Sequence, residues 1–296
     1  MARATASGVH IRGIGTCVPR RRFDNRRDTA GFSAEEIRKV TGMAGVDRRP
    51  VGGEGVCSSD LCAAAAERVL QALDWPAGSV DLLIMITQTP DYFLPQTASV
   101  VHRRLGLGDD CAAFDVGLGC SGYPYGLWVA TALMAQGGVR RALLLHGDTP
   151  ARYSDRSDRS VALLFGDGGS ATALERDEGG SAEPSWHFVL HTDSSGLEDM
   201  IIEGGGFRER FPQDTRRHFV RMRGANVFNF TLKRLPPLIR AALDHGRTPF
   251  EDIDYFILHQ SNQFIMRHLA RKRRSRRSGC RSSWATSATR AAARSR

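Results

Sequence analysis

Over its first 175 or so residues the chain alternates short apolar runs with stretches of helical periodicity, and this order narrows the possible folds more than any other feature. It is the βαβ signature of a sheet covered by helices. His10 to Val18 (HIRGIGTCV) reads as a strand. Ser33-Ala-Glu-Glu36 is a capping box that opens a helix toward Thr41. A second helix is expected from about Asp60 to Leu73, where Leu61, Ala65, Val69 and Leu73 recur on one face. Then follow the strand VDLLIMIT (80–87), the Pro-bounded loop DYFLPQ (91–96), a helix through Val100 to Leu105 and the strand AAFDV (112–116). Tyr123 to Gln136 is read as helix and ALLLHG (142–147) as strand. VALLF (161–165) and SATAL (170–174) are read as a hairpin around Gly166-Asp167-Gly168-Gly169.

The second half repeats the theme more loosely. WHFVLHT (186–192) and DYFILH (254–259) are expected strands, Ala225 to His245 a helix broken or bent at Pro236-Pro237, and Asn262 the start of another helix. From residue 273 onward there is no apolar period and no acid. This tail is either a disordered basic segment or not a selected sequence.

Charge belongs to that tail. The formal net charge is +9, but ten of the 41 Lys and Arg lie in residues 271–296, which leaves 31 bases against 32 acids in the body. A basic tail could bind nucleic acid in a salt-sensitive way, yet it has one aromatic residue, Trp284, and the body adds no basic surplus. No nucleic-acid partner is therefore expected. Composition, with 41% hydrophobic and 25% charged residues, is that of a globular chain of one large or two small domains. The longest apolar run, Leu82 to Ile86, is far short of the ~20 residues of a membrane span, and Met1 to Arg22 has no signal-type apolar core. Six cysteines without a CxxC pair suggest neither zinc nor disulfides. A cytoplasmic protein, with no membrane partner, no metal and no cofactor, is expected.

Two places could carry chemistry. Cys120 lies in Gly117-Leu118-Gly119-Cys120-Ser121-Gly122 between a buried strand and a long helix. Small residues allow a sharp turn and a close approach of substrate, and the helix dipole would lower the thiol pKa. The bland reading, a small buried cysteine, has about even weight. His259 ends a strand and opens His259-Gln260-Ser261-Asn262, a polar cluster where α/β sheets present ligands, although a lone histidine is more often structural. Together the two suit covalent acyl chemistry. Asp167, flanked by glycines, is read as a turn residue, Gly204-Gly205-Gly206 as a loop, and Arg48-Arg49 and Arg216-Arg217 as solvated surface.

With these motifs in view, the chain resembles the ketoacyl-acyl-carrier-protein synthase III family of thiolase-like condensing enzymes. The resemblance runs from about His10 to Lys272 and rests on AFDVGLGCSG (113–122), FGDGG (165–169) and HQSN (259–262), with Thr41-Gly42-Met43 and Leu190-His191-Thr192-Asp193-Ser194 as further landmarks. It implies a five-layered αβαβα fold of two related halves: residues 1–175 with the nucleophilic cysteine and an incomplete second half, 176–272, with the histidine. It also implies that Cys120 takes an acyl group from a thioester. Malonyl-acyl-carrier-protein then loses CO₂, and His259 and an Asn donate hydrogen bonds to the enolate that attacks acyl-Cys120. Acyl-coenzyme A and acyl carrier protein are the implied partners, with Arg152 at a position that contacts the coenzyme A end, and Gln260 and Asn262 beside the substrate. Phe93 and Leu94 fall in the loop that reaches across a homodimer into the partner's acyl pocket.

The chain departs from the family at two points. Members that take coenzyme A primers commonly stack a Trp on adenine five residues before the Thr-Gly landmark, and here that residue is Glu36. The family's catalytic Asn, in a Gly-Asn-Thr-Ser segment after the His, has no counterpart in residues 273–296. Codons taken one base out of phase across Ser287 to Arg296 permit Gly-Asn-Thr-Ser and later Ile-Pro. The expectation is a one-base frameshift near Arg273, which the nucleotide sequence settles. An acyltransferase to an alcohol or amine without condensation, and an inactive truncated product, remain the alternative readings.

Overall fold

The computed structural model describes residues 2–29, 31–179 and 183–265 of the 296-residue chain. The tail at 273–296 and the continuation of the helix expected from Asn262 lie outside the described residues. In chain order the elements are β1 (Ala2–Ser7), β2 (Val9–Cys17), β3 (Arg22–Asp24), α1 (Ala34–Ala44), β4 (Arg48–Pro50), α2 (Ser58–Leu73), β5 (Leu82–Ile86), α3 (Thr97–Leu105) and β6 (Ala112–Val116). They continue with α4 (Gly122–Ala135), β7 (Arg141–Asp148), β8 (Gly168–Arg176), β9 (Ser185–Leu190), β10 (Met200–Ile201), β11 (Arg221–Met222) and α5 (Gly224–Gly246).

Five strands form the main sheet in the order β2-β8-β7-β5-β6. β7, β5 and β6 run parallel, and β8 is antiparallel to both its neighbours. Side chains alternate across a strand, and here both faces are dry. Leu83, Met85, Leu143 and Leu145 face α2 and α3, in one cluster with Ala65, Val69 and Val101. Leu82, Ile84, Ile86, Ala142 and Leu144 face the other way, in a cluster with Leu127, Ala130 and Met134 of α4. Phe188 of β9 joins that second cluster, with Ala4, Ala6 and Trp186 against it, so a β1–β9 ribbon covers the far side of α4. Beyond the ribbon lies α5, whose His245 bonds the Ala4 carbonyl at 3.0 Å. The layers therefore run helices, sheet, α4, ribbon, α5, the αβαβα order of the thiolase-like fold. Because α4 is held between two β layers, its sequence, GYPYGLWVATALMA, is apolar all round.

Local sequence set most elements. Ser33 and Glu36 make the expected capping box: the Glu36 amide donates to Ser33 Oγ at 3.2 Å and Glu36 Oε2 accepts from the Ser33 amide at 3.0 Å. Asp115 of β6 caps a neighbouring helix, its two carboxylate oxygens accepting from the Thr97 and Ala98 amides at 2.7 Å each.

Three expectations fail. VALLF is not a strand: both edges of β8 are taken, by β2 and β7, so residues 161–165 satisfy their backbone in turns, such as the Ala162 amide on the Asp158 carbonyl at 2.8 Å. Of the expected break or bend at Pro236-Pro237 the break does not occur, α5 running through both, although an interior proline costs about 3 kcal/mol. The helix is held along its length instead, by Arg234 on Asp193 and by His245 on the ribbon. DYFILH is irregular and pairs with no strand among the described residues, and Ile257 is 95% exposed.

Candidate active site

Cys120 stands in the turn between β6 and α4, at the C-terminal end of the parallel strands, where open α/β sheets place their ligands. It is exposed, and the Gly122 amide closes the turn on the Gly119 carbonyl at 2.7 Å. The glycines here serve close internal packing. A Cβ on Gly122 or Gly126 would run into Ile86 of β5, and one on Gly119 into Gln88. The helix is thus seated directly on the strand, with its N-terminal dipole behind the thiol. The expected net lowering of the thiol pKa is not found. Burial pushes the Cys120 thiol up, its own backbone amide pulls it down, and the nearby Asp148 carboxylate raises it further. Solvent touches the residue while surrounding protein desolvates the sulfur, as in an open recess.

Asp148, at the end of β7, ties the strand ends together. Its Oδ1 accepts from Thr87 Oγ1 (2.9 Å), the Gln88 amide (2.7 Å), the Thr89 amide (3.1 Å) and Thr89 Oγ1 (3.0 Å). Two residues upstream, the half-buried His146 pairs in register with Ile86 of β5 and Ser170 of β8. Its Nε2 would lie 3.6 Å from a Cβ on Gly122. Burial lowers the His146 pKa, against upward pulls from Asp148 and from the Gly119 backbone. Tyr153 completes the wall. Burial raises its phenol pKa, followed by the charges of Asp148, Cys120 and Asp167.

His259 comes from the irregular segment after α5. Its pKa is lowered by burial first and by His146 second, which places the two imidazoles within electrostatic reach. Like Cys120 it is exposed and yet desolvated. Asn262 stands half-buried three residues further on. Its Oδ1 accepts from the Phe264 amide at 2.8 Å, capping a helical turn that starts at 263. That turn leans on the end of α1, since a Cβ at Gly45 would stand 2.8 Å from Gln263 Cβ. Gln260 is exposed beside His259.

Arg152 lines a separate hollow of about 580 Å³ with Gly52, Gly53, Gly55, Arg156 and Phe219, a hollow whose walls include neither Cys120 nor His259. Its Nη2 donates to the Val56 carbonyl at 2.7 Å. Asp167 is a turn residue: 3% exposed, its carboxylate accepts from the Gly52 and Ala151 amides at 2.7 and 3.0 Å. Glu36 is bonded to Ser33 and, at 3.0 Å, to Arg159, and the Ser33 backbone above all holds its carboxyl below the usual range. Phe93 and Leu94 are exposed, Leu94 by 87%, and Phe93 packs on Phe207 at 5.6 Å between centroids with Arg210 over both rings. Sequence reasoning missed His146 and Asp148. The signal available was ALLLHGD, a buried strand whose last residues are polar.

The 3-oxoacyl-[acyl-carrier-protein] synthase III family model matches residues 114–194. A β-ketoacyl-[acyl-carrier-protein] synthase III of Alkalilimnicola ehrlichii is 36% identical over 271 residues, 90% of this chain and 81% of its own. One from Streptomyces coelicolor is 34% identical over 265 residues, 88% of this chain and 78% of its own. Among solved structures, a 3-oxoacyl-(acyl-carrier protein) synthase of Burkholderia xenovorans superposes with a TM-score of 0.86 at 38% identity, covering 92% of this chain and 78% of that one.

Proposed function

Since the chain belongs to the 3-oxoacyl-[acyl-carrier-protein] synthase III family, we propose that Cys120 carries the acyl group and His259 serves it from the second half. The chain is a condensing acyltransferase of this type, an enzyme of fatty-acid or related polyketide biosynthesis. The observation that carries the residue assignment is the position of Cys120, exposed at the N-terminus of a helix clamped on β5; His259 supports it by lying within electrostatic reach of His146 on β7.

The resting thiol has a raised pKa, so the thiolate forms as the substrate arrives. His259, kept neutral by burial, is free to accept the proton. The thiolate adds to the acyl thioester carbonyl, the C–S bond to the donor breaks, and the departing thiolate takes the proton from His259. Malonyl-acyl-carrier-protein then loses CO₂, and His259, neutral again, donates an N–H to the enolate oxygen. The enolate carbon attacks acyl-Cys120, releasing the 3-oxoacyl thioester and a Cys120 thiolate that regains a proton from solvent. The reaction balances without a redox or metal cofactor.

Acyl-coenzyme A is the donor in this reading, with Arg152 as a contact for its far end and acyl carrier protein bringing the malonyl group. Gln260 and Asn262 would meet the substrate beside His259. The exposed Phe93-Leu94 loop is the part expected to enter a second copy in a homodimer. The halves would be 1–175 and 176–272, with 273–296 a tail out of frame. A cytoplasmic location belongs to the same reading. Among the described residues no helix is long and apolar enough to cross a membrane.

The test is mass spectrometry of the intact chain after incubation with acetyl-coenzyme A. An acetyl adduct that disappears in Cys120→Ala is expected, and an adduct that survives the substitution overturns the assignment. Release of CO₂ from malonyl-acyl-carrier-protein in the acetylated protein separates condensation from plain acyl transfer.

A further inference from the structure

Arg48 and Arg49 read as one solvated pair in the sequence, and the structure parts them. On β4 successive side chains point to opposite sides. Arg48 is exposed, and its Nε meets Asp24 Oδ2 at 3.3 Å. Arg49 is only 6% exposed, and it makes no ion pair with a carboxylate among the described residues. Its bonds go to neutral groups. Nε donates to Asn25 Oδ1 and Nη1 to the Phe165 carbonyl, each at 2.8 Å, and the guanidinium lies over the Phe23 ring at 5.0 Å. Asn25 is itself locked, because its Nδ2 donates to the Val46 and Leu163 carbonyls at 2.8 and 2.9 Å. The cation is therefore held in place, while its Nη2 has no acceptor among the described residues.

A guanidinium taken out of water without an anion beside it is costly, so buried charges are normally paired. Asp167 attracts Arg49, yet its two oxygens already accept from the Gly52 and Ala151 amides at 2.7 and 3.0 Å. Arg49 lines a hollow of about 180 Å³ with Phe23, Asp28, Thr29, Ser154 and Arg156, far more space than the ~30 Å³ of one water. Arg156 is exposed, has neither a hydrogen bond nor an ion pair among the described residues, and stands near enough to Arg49 to oppose its charge. Two cations thus face one cavity against a single acid, Asp28, whose Oδ2 accepts from the Asp24 amide at 2.7 Å. We infer that this hollow binds a phosphate group, its oxygens held by the guanidiniums of Arg49 and Arg156. Each guanidinium offers a planar fork of donors that fits phosphate oxygens, and the phosphate supplies the negative charge that Arg49 lacks. The site is apart from the nucleophile, since neither Cys120 nor His259 lines it. It adjoins the larger hollow of Arg152, with which it shares Val51, Ala151, Ser154 and Arg156. Free phosphate and a phosphate borne by the thioester donor share this chemistry, and only the second source rests on the function proposed above.

The test is calorimetric titration of the full chain with inorganic phosphate, against chloride at equal ionic strength. Wild-type protein is expected to bind phosphate, and Arg156→Gln to weaken that binding by about tenfold or more. Arg49→Lys, which keeps the charge and loses the fork, should weaken it by a similar factor, whereas Arg48→Gln on the opposite face should stay within about twofold of wild type. Wild-type protein that takes up no phosphate beyond the chloride control overturns the site, as does equal weakening by Arg48→Gln and Arg156→Gln. If Arg49→Lys does not fold, Arg156→Gln decides alone, because its side chain is exposed and bonds to nothing in the described structure. Competition with coenzyme A and with dephospho-coenzyme A then separates the sources. Displacement of phosphate by the first alone assigns the 3′-phosphate, by both the diphosphate, and by neither a free phosphate. Should Cys120 take no acetyl group, the function reading fails, while the phosphate titration still decides the site.

Discussion

Leu82–Ile86 and residues 254–258 are both short apolar runs that read as strands, and the structure treats them oppositely. The first has a hydrogen-bonded strand on each side and a helical layer on each face, and all its residues are buried. The second has no strand beside it among the described residues, and Tyr255 and Ile257 stand in solvent. Strand character is thus a statement about neighbours as much as about sequence, because a β segment is stable through its ladder and the layers on its faces. The contrast also divides the site. Cys120 is mounted on the packed strands, and His259 follows a segment without a ladder among the described residues, whose Phe256 stacks on Phe250 at 5.2 Å.

The contrast can be broken by substitution. Ile84→Ala should destabilise the protein by about 2–5 kcal/mol in urea or thermal unfolding, whereas Ile257→Ala should change it by less than about 0.5 kcal/mol. Equal effects would mean that 254–258 has a partner strand in solution. A smaller effect is expected at the junction of strand ends. Asp148→Asn replaces the charged acceptor of four hydrogen bonds by a neutral one, and should cost about 1–3 kcal/mol with slower acylation of Cys120. No loss of stability there would show that the strand ends are held by the ladder alone.

The smallest effect is the dependence on pH. His146 and His259 both have folded pKa values below the ordinary 6.5, so below that value the unfolded chain binds more protons than the folded one. Stability from these two groups is present at neutral pH and is lost as pH falls below 6.5. The urea midpoint should be lower at about pH 5.5 than at about pH 7.5, and the drop should shrink in His146→Gln. A midpoint that rises on acidification would reverse the sign assigned to both groups.

Much of the first half was legible because its signals are local. The Ser33–Glu36 box, the face of α2 and the continuous apolar runs of β5 and β7 are all decided within a few residues. The glycine-framed Cys120 and the HQSN cluster were legible as motifs. Non-local outcomes were not. That Ala2–Ser7 pairs with Ser185–Leu190, that 161–165 finds no free edge, and that both prolines ride inside α5 depend on which partners arrive first and what space remains. His146 was missed for a related reason. Its place beside the Cys120 turn depends on how α4 seats on the sheet, with Gly122 next to its ring, which no window of sequence around His146 reports.

The seating of α4 between two β layers bears on how such an enzyme can diversify. Any residue change that shifts this helix must displace Ile86 on one side or the ribbon on the other, so the nucleophile's coordinates are inherited with the fold. The 254–262 segment is tied to its surroundings through fewer covered residues, the half-buried Phe256 stacked on Phe250 at 5.2 Å among them. Variation in substrate choice has its least obstructed route there, around a fixed sulfur, by altering the wall that comes to meet it.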